Sequence, residues 1–302
     1  MMKLRHPLKT TVATLFAAGA IAVVPAVAQA NTLQKIKETG SITLGHRESS
    51  IPFSYYDQNQ QVVGYSHEMM LKVVDAIKTE LKLPNLQVKL MPVTSQNRIP
   101  LVQNGTVAIE CGSTTNNSER AKQVAFSNSI FIVGTRLMTK KDSGVQDFAQ
   151  LAGKNVVTTA GTTSERLLRK LNEEKQLGMS IISAKDHGES FLTLETGRAV
   201  AFMMDDALLY GELAKAKRPA EWTVTGTPQS FEAYGCMMSK EDPAFKALVD
   251  GAIAKAMASG EAEKIYNKWF QAAIPPKNIN LGFPLSDSMK NLFKAPNDRP
   301  FE

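Results

Sequence analysis

Apolar and polar positions follow two different periods along this chain, and the period switches repeatedly. Met70, Val73, Val74, Ile77 and Leu81 recur at helical spacing and predict an amphipathic helix over residues 64–83, ended by Pro84. Leu86, Val88 and Leu90 alternate with Gln87 and Lys89, which is the pattern of a strand. A strand is also predicted at residues 41–46. A short helix follows the 86–90 strand, capped by Ser95, running through Val102 and stopped by Gly105. Residues 107–112 form the next strand, and a helix is expected over residues 119–126. The order βαβαβα implies a largely parallel sheet whose functional loops lie at the strand C-termini.

The same grammar then repeats without any repeat of sequence. Helices are expected at residues 148–152, 161–174, 190–197 and 207–217, with strands at 155–159, 180–184, 199–204 and 222–225. Long extended runs at residues 131–138 and 230–238 bracket this second series. A helical region at 243–270, broken near Gly260, leads into a turn-rich tail with one short helix at 286–293. The pattern predicts an α/β protein of two lobes joined by two extended hinge strands. Residues 31–133 and 234–302 would form one lobe, with 134–233 inserted as the other. Two small lobes joined in this way leave a cleft, the usual place for a ligand.

Residues 1–30 differ in kind. Lys3, Arg5 and Lys9 precede an Ala-rich apolar run over residues 11–27, and Ala28-Gln29-Ala30 has the small-x-small form of a cleavage site. The run is short for a membrane span and contains Pro25, so it reads as a secretory signal, with the working chain starting at Asn31. Setting aside its three cations leaves 32 of the 35 Lys and Arg against 29 acids. That mild surplus, without a dense basic run, gives no nucleic-acid footprint. The four histidines show no metal-ligand spacing and there is no Gly-rich phosphate loop, so no metal or cofactor is expected. Met69-Met70 and Met203-Met204 read as core filler.

Two cysteines, Cys111 and Cys236, admit three readings. A secreted chain favours a single disulfide; the others are two buried thiols, or Cys111 as a nucleophile with a base such as His187 nearby.

Candidate chemistry gathers in the loops. Glu110-Cys-Gly-Ser-Thr-Thr-Asn-Asn-Ser-Glu-Arg120 follows an apolar strand with a hydroxyl-rich turn and an arginine, good geometry for a carboxylate. A plain β-turn and helix start would look the same locally. Arg47, Arg98 and Arg120 all follow predicted strands, and in a parallel sheet those loops converge on one edge. Three cations at one cleft suit a ligand with two carboxylates. In the second lobe, Gly161-Thr162-Thr163 opens a helix and can hold an anion, while Thr162 with Glu165 also reads as a capping box. His187 follows a strand. Of Asp205 and Asp206, one is expected to cap the helix they open, leaving the other for a ligand ammonium.

Several segments together resemble the periplasmic solute-binding proteins for polar amino acids, and within them the glutamate/aspartate branch of ABC importers. They are residues 45–56, Thr94-Ser-Gln-Asn-Arg-Ile-Pro100, the stretch 110–120, Gly161-Thr-Thr-Ser-Glu165, residues 182–188, residues 201–207, Tyr234-Gly-Cys-Met237 and Ile274-Pro-Pro-Lys277. The resemblance covers essentially all of the chain after residue 30. It implies two lobes closing on L-glutamate or L-aspartate, which are then delivered to a permease in the inner membrane by a monomer in the periplasm. By that resemblance Arg120 would clamp the α-carboxylate with Thr115 and Thr163. Ser113 and Asp205 would hold the α-ammonium, and Arg47, Ser95, Arg98 and His187 the side-chain carboxylate. It also implies pairing of Cys111 with Cys236. One departure is Ala108, where the family usually has an acid; at a strand position this predicts a stability effect. A periplasmic enzyme on the same scaffold, such as a dehydratase relative, is the alternative, with His187 its one obvious acid or base.

Overall fold

The computed structural model describes residues 31–300; the expected signal segment lies outside them. The first sheet runs, edge to edge, through Gln87–Pro92, Ser41–His46, Ile109–Glu110, Met237–Met238 and Ala125–Phe126. Its first three strands are parallel, as the βαβ grammar requires, and Met237–Met238 runs antiparallel to both its neighbours, Ile109–Glu110 and Ala125–Phe126. The helix Tyr65–Leu81 buries Met69, Met70, Val73, Val74 and Ile77, the face that the spacing marked out.

The second sheet has the order Ser180–Ala184, Asn155–Thr159, Ala201–Asp205, Phe131–Lys140, Phe231–Tyr234, Thr115–Asn116, with Trp222–Thr225 also paired to Phe131–Lys140. The two extended runs therefore hydrogen-bond to one another, antiparallel, from Phe231 opposite Gly134 to Tyr234 opposite Phe131. They are the crossings between the sheets: Phe131–Lys140 leaves the first sheet after Ala125–Phe126, and Phe231–Tyr234 leads back to Met237–Met238. Phe131 is held between rings from both ends of the chain, 4.8 Å from both Phe53 and Phe270. Nearby, the Tyr65 hydroxyl donates to Ile130 O at 2.7 Å. The root of the crossing is thus packed into a rigid aromatic core.

Three local expectations are corrected. The helix expected at 119–126 is one 3-10 turn, Arg120–Lys122, followed by the strand Ala125–Phe126, because Ala125 and Phe126 pair with Met238 and Met237. The helix expected from Ser95 begins at Arg98, with Asn97 at its cap position; Asn97 Oδ1 accepts from Thr94 N. Residues 47–56, for which no strand or helix is expected, contain the hairpin strands Ser49–Ser50 and Ser54–Tyr56. Cys111 and Cys236 form a disulfide, with an S–S distance of 2.07 Å and a sequence separation of 125.

Candidate ligand-binding cleft

Each of the nine candidate residues is placed by the end of a strand or the start of a helix. Arg47 follows Ser41–His46, Arg98 opens its helix, and Arg120 opens the 3-10 turn. All three arginines are buried, at 2 %, 2 % and 3 % exposure, although Arg normally sits in water. Their fixed partners are mainly oxygens of the hydroxyl-rich turn. Arg98 Nη1 donates to Ser113 O at 3.0 Å and to Thr114 Oγ1 at 2.5 Å. Arg47 Nη1 reaches Ser113 Oγ at 3.5 Å, and Arg120 Nη1 donates to Thr115 O at 3.0 Å. Burial and then repulsion from Arg98 pull Arg47 down to about 10 and Arg120 to about 9. Clustered cations taken out of water favour any anion brought among them.

The second half of the chain closes over this turn. Arg120 Nη2 donates to Gly161 O at 3.2 Å, and Thr115 Oγ1 lies 3.4 Å from Thr163 Oγ1. Gly161 has a φ of +76°, and a Cβ there would stand 2.8–2.9 Å from Gln96 and Ser95, so only glycine lets the two sides approach this closely. Thr162 caps the helix Thr163–Glu174 by accepting from Glu165 N, and Glu165 Oε2 accepts from Gly161 N. The cap and the cleft are compatible, since Thr163 and Ser164 stay free for other partners.

Asp205 and Asp206 divide their work. Asp206 Oδ1 accepts from Ala207 N and Gly134 N. Asp205 accepts from Thr135 Oγ1 and Ser164 Oγ, each at 3.2 Å, and from the Tyr234 hydroxyl. Burial, and next the charge of Glu232, push the Asp205 carboxyl up to about 7. His187 opens the helix His187–Glu195 and its Nδ1 lies 2.9 Å from Thr159 Oγ1. Burial, Arg47 and Arg98 hold its ring well below the ordinary histidine range, so it is neutral.

The distal end of the cleft has a distinctive feature. Ser95 Oγ, Arg98 Nε and His187 Nε2 are buried with no hydrogen-bond partner among the described residues. Ser95 and Arg98 are neighbours in the chain, and His187 feels the charges of Arg47 and Arg98.

Residues 42–272 match the family described as Bacterial extracellular solute-binding proteins, family 3. The chain belongs to this family. It is 65% identical over 274 residues, covering 91% of both chains, to a protein of Salmonella typhimurium named glutamate/aspartate import solute-binding protein. A protein of the same name from Escherichia coli is 62% identical, covering 99% of each. Among solved structures, an ancestral arginine-binding protein bound to arginine superposes with a TM-score of 0.68 at 27% identity, covering 76% of this chain and 98% of that one. The two-lobed solute-binding fold is therefore shared well beyond the most similar sequences.

Sequence reading missed two buried acids of this family-3 cleft. Glu232 lies on the return strand, where its Oε2 accepts from Thr115 Oγ1 at 2.5 Å and Thr163 Oγ1 at 2.7 Å. Glu110, wholly buried, accepts from Thr114 Oγ1 at 2.7 Å and leaves Oε1 without a partner. A charge at the end of an apolar strand is the one signal that marked Glu110; nothing local marked Glu232.

Proposed function

We propose that this protein captures L-glutamate and L-aspartate in the periplasm and delivers them to an ABC permease of the inner membrane, acting as a monomer. The observation that carries the reading is the distal cluster: unpartnered Ser95 Oγ, Arg98 Nε and His187 Nε2, beside the buried Arg47. An acidic side chain supplies the acceptor oxygens that those donors lack. The names of the relatives point the same way.

In this reading Arg120 clamps the α-carboxylate, with Thr115 and Thr163 beside it. Asp205 and Ser113 receive the α-ammonium. Arg47, Arg98, Ser95 and His187 receive the side-chain carboxylate. His187 donates from Nε2 in the tautomer in which Nδ1 accepts from Thr159 Oγ1, which requires Ser190 Oγ to turn its proton from Asp186 O to Thr159. Charge-assisted bonds contribute about 1.5–3 kcal/mol each, and micromolar affinity needs roughly 8 kcal/mol in all. Two arginine–carboxylate pairs with hydroxyl and backbone bonds reach that after ordering costs. We place the lobe boundaries at 133/134 and 233/234, within the paired crossings, and take residues 1–30 as the exported signal. No catalytic step is assigned: the cleft carboxyl with a raised pKa, Asp205, is engaged by three hydroxyls.

Calorimetry on the purified protein tests the reading. We expect saturable binding of both acids. Arg98→Ala is expected to lose about tenfold to a hundredfold in glutamate affinity, the worth of one or more charged bonds. Binding of a neutral amino acid with no heat from either acid would overturn it.

A further inference from the structure

Glu110 stands where the two arginines of the distal cluster meet. Its Oε2 accepts from Thr114 Oγ1, and the same Thr114 Oγ1 accepts from Arg98 Nη1. The carboxylate is thus one hydroxyl away from Arg98 and does not occupy the guanidinium fork. Towards Arg47 the approach is equally close: a Cβ on Gly112 would lie 2.6 Å from Glu110 Oε1 and 2.8 Å from Arg47 Cγ, so that glycine is the only spacer between them. Glu110 is wholly buried, with Oε1 unpartnered among the described residues.

We propose that Glu110 is a specificity-determining residue for the distal end of the ligand: a fixed buried counter-charge that sets how many negative charges that end accepts. The inference rests on the function proposed above. Arg47 and Arg98 bring two positive charges and Glu110 removes one. One ligand carboxylate then makes the buried group neutral, whereas a ligand amide leaves it positive, and an unbalanced buried charge is strongly disfavoured. Because Glu110 acts through Thr114 and across Gly112, it balances the arginines without competing for the donors that grip the ligand. Other charges face this group as well. Asp186 lies towards Arg47, and Asp205 and Glu232 towards Arg98. Lys215 lies towards His187. Asp186 is half-buried and caps its helix by accepting from Glu189 N, Lys215 is paired with Glu212 at 2.7 Å, and Asp205 and Glu232 serve the opposite end of the ligand. The balance at the distal carboxylate is left to Glu110.

Calorimetry of glutamate against glutamine, on the full chain and three variants, tests the proposal. Glu110→Gln keeps the acceptor for Thr114 but removes the charge. It is expected to raise the preference for glutamate over glutamine at least about fivefold and to lower the melting temperature of the ligand-free protein. Arg47→Met, with Glu110 intact, leaves the group neutral before any ligand enters, and its preference is expected to fall by about tenfold or more, towards the amide. The double variant carries one net positive charge again and is expected to recover preference for the carboxylate relative to Arg47→Met. A preference within about twofold of the parent in Glu110→Gln would overturn the proposal, as would a double variant no different from Arg47→Met. Should Glu110→Gln alone not fold, the balanced double variant still decides. If the parent protein binds neither acid, the functional reading fails first; if it binds them and the preference ignores Glu110, only this inference fails.

Discussion

Asp205 holds three hydroxyl donors and still sits where its charge is disfavoured. Burial and Glu232 outweigh Thr135, Ser164 and Tyr234, leaving the carboxyl at about 7. The sign has two consequences. In the ligand-free protein the folded pKa is raised, so folding holds the extra proton between about 4 and 7, and stability falls as pH rises through that window. Glu212, pushed up to about 7 by burial, adds to the same trend. Ligand binding runs the other way. An ammonium needs the ionised carboxylate, so binding below about 7 must expel a proton, and affinity is expected to weaken towards tenfold per unit as pH falls from about 7 to 5. Burial, Arg47 and Arg98 hold the His187 ring well below the ordinary histidine range. Calorimetry in buffers of different ionisation enthalpy measures the released proton; no release at pH 6 would remove Asp205 as the ammonium acceptor.

The two crossing strands and their staple set a second level. Cys111 follows Ile109–Glu110 and Cys236 precedes Met237–Met238, strands that pair with each other. The bond therefore closes a loop containing the whole second sheet. Closing so long a loop contributes about 2–5 kcal/mol in the chain-entropy account. Replacing both cysteines with serine is expected to lower the melting temperature by about 2–4 °C per kcal/mol lost, while glutamate affinity changes little. A large loss of affinity at unchanged stability would show that the staple shapes the cleft. At this level the sequence was legible wherever an element buries one continuous face. The helix Tyr65–Leu81 was readable for that reason, and the strand Asn155–Thr159 as a short run buried on both faces. It was misleading at 119–126, where a helix-like local pattern is overridden by pairing with Met237–Met238, more than a hundred residues away. Among site residues, the arginines were visible as charges after strands. Glu232 was not, because its role depends on the strand lying beside Thr115, which is a fact of topology.

Seen whole, the molecule meets itself at several points across the cleft besides Arg120 with Gly161. Gly188 N donates to Ser49 Oγ at 3.4 Å, and Lys277 Nζ reaches from the tail to Lys215 O at 2.6 Å and Ala216 O at 2.9 Å. The tightest approach is made by Gly211, inside the helix Asp206–Lys215: a Cβ there would stand 2.1 Å from Ile51 O. Glycine within a helix is about 1 kcal/mol worse than alanine, so this position trades local helix stability for proximity. Gly211→Ala is expected to leave the ligand-free melting temperature unchanged or raised while glutamate affinity drops at least about tenfold, since the methyl holds helix and loop apart. A lowered melting temperature with normal affinity would show that the contact supports folding and plays no part in closure. The consequence reaches engineering: a screen that ranks variants by heat resistance alone would promote Gly211→Ala, and its winner would be a sturdier protein that arrives at its transporter empty.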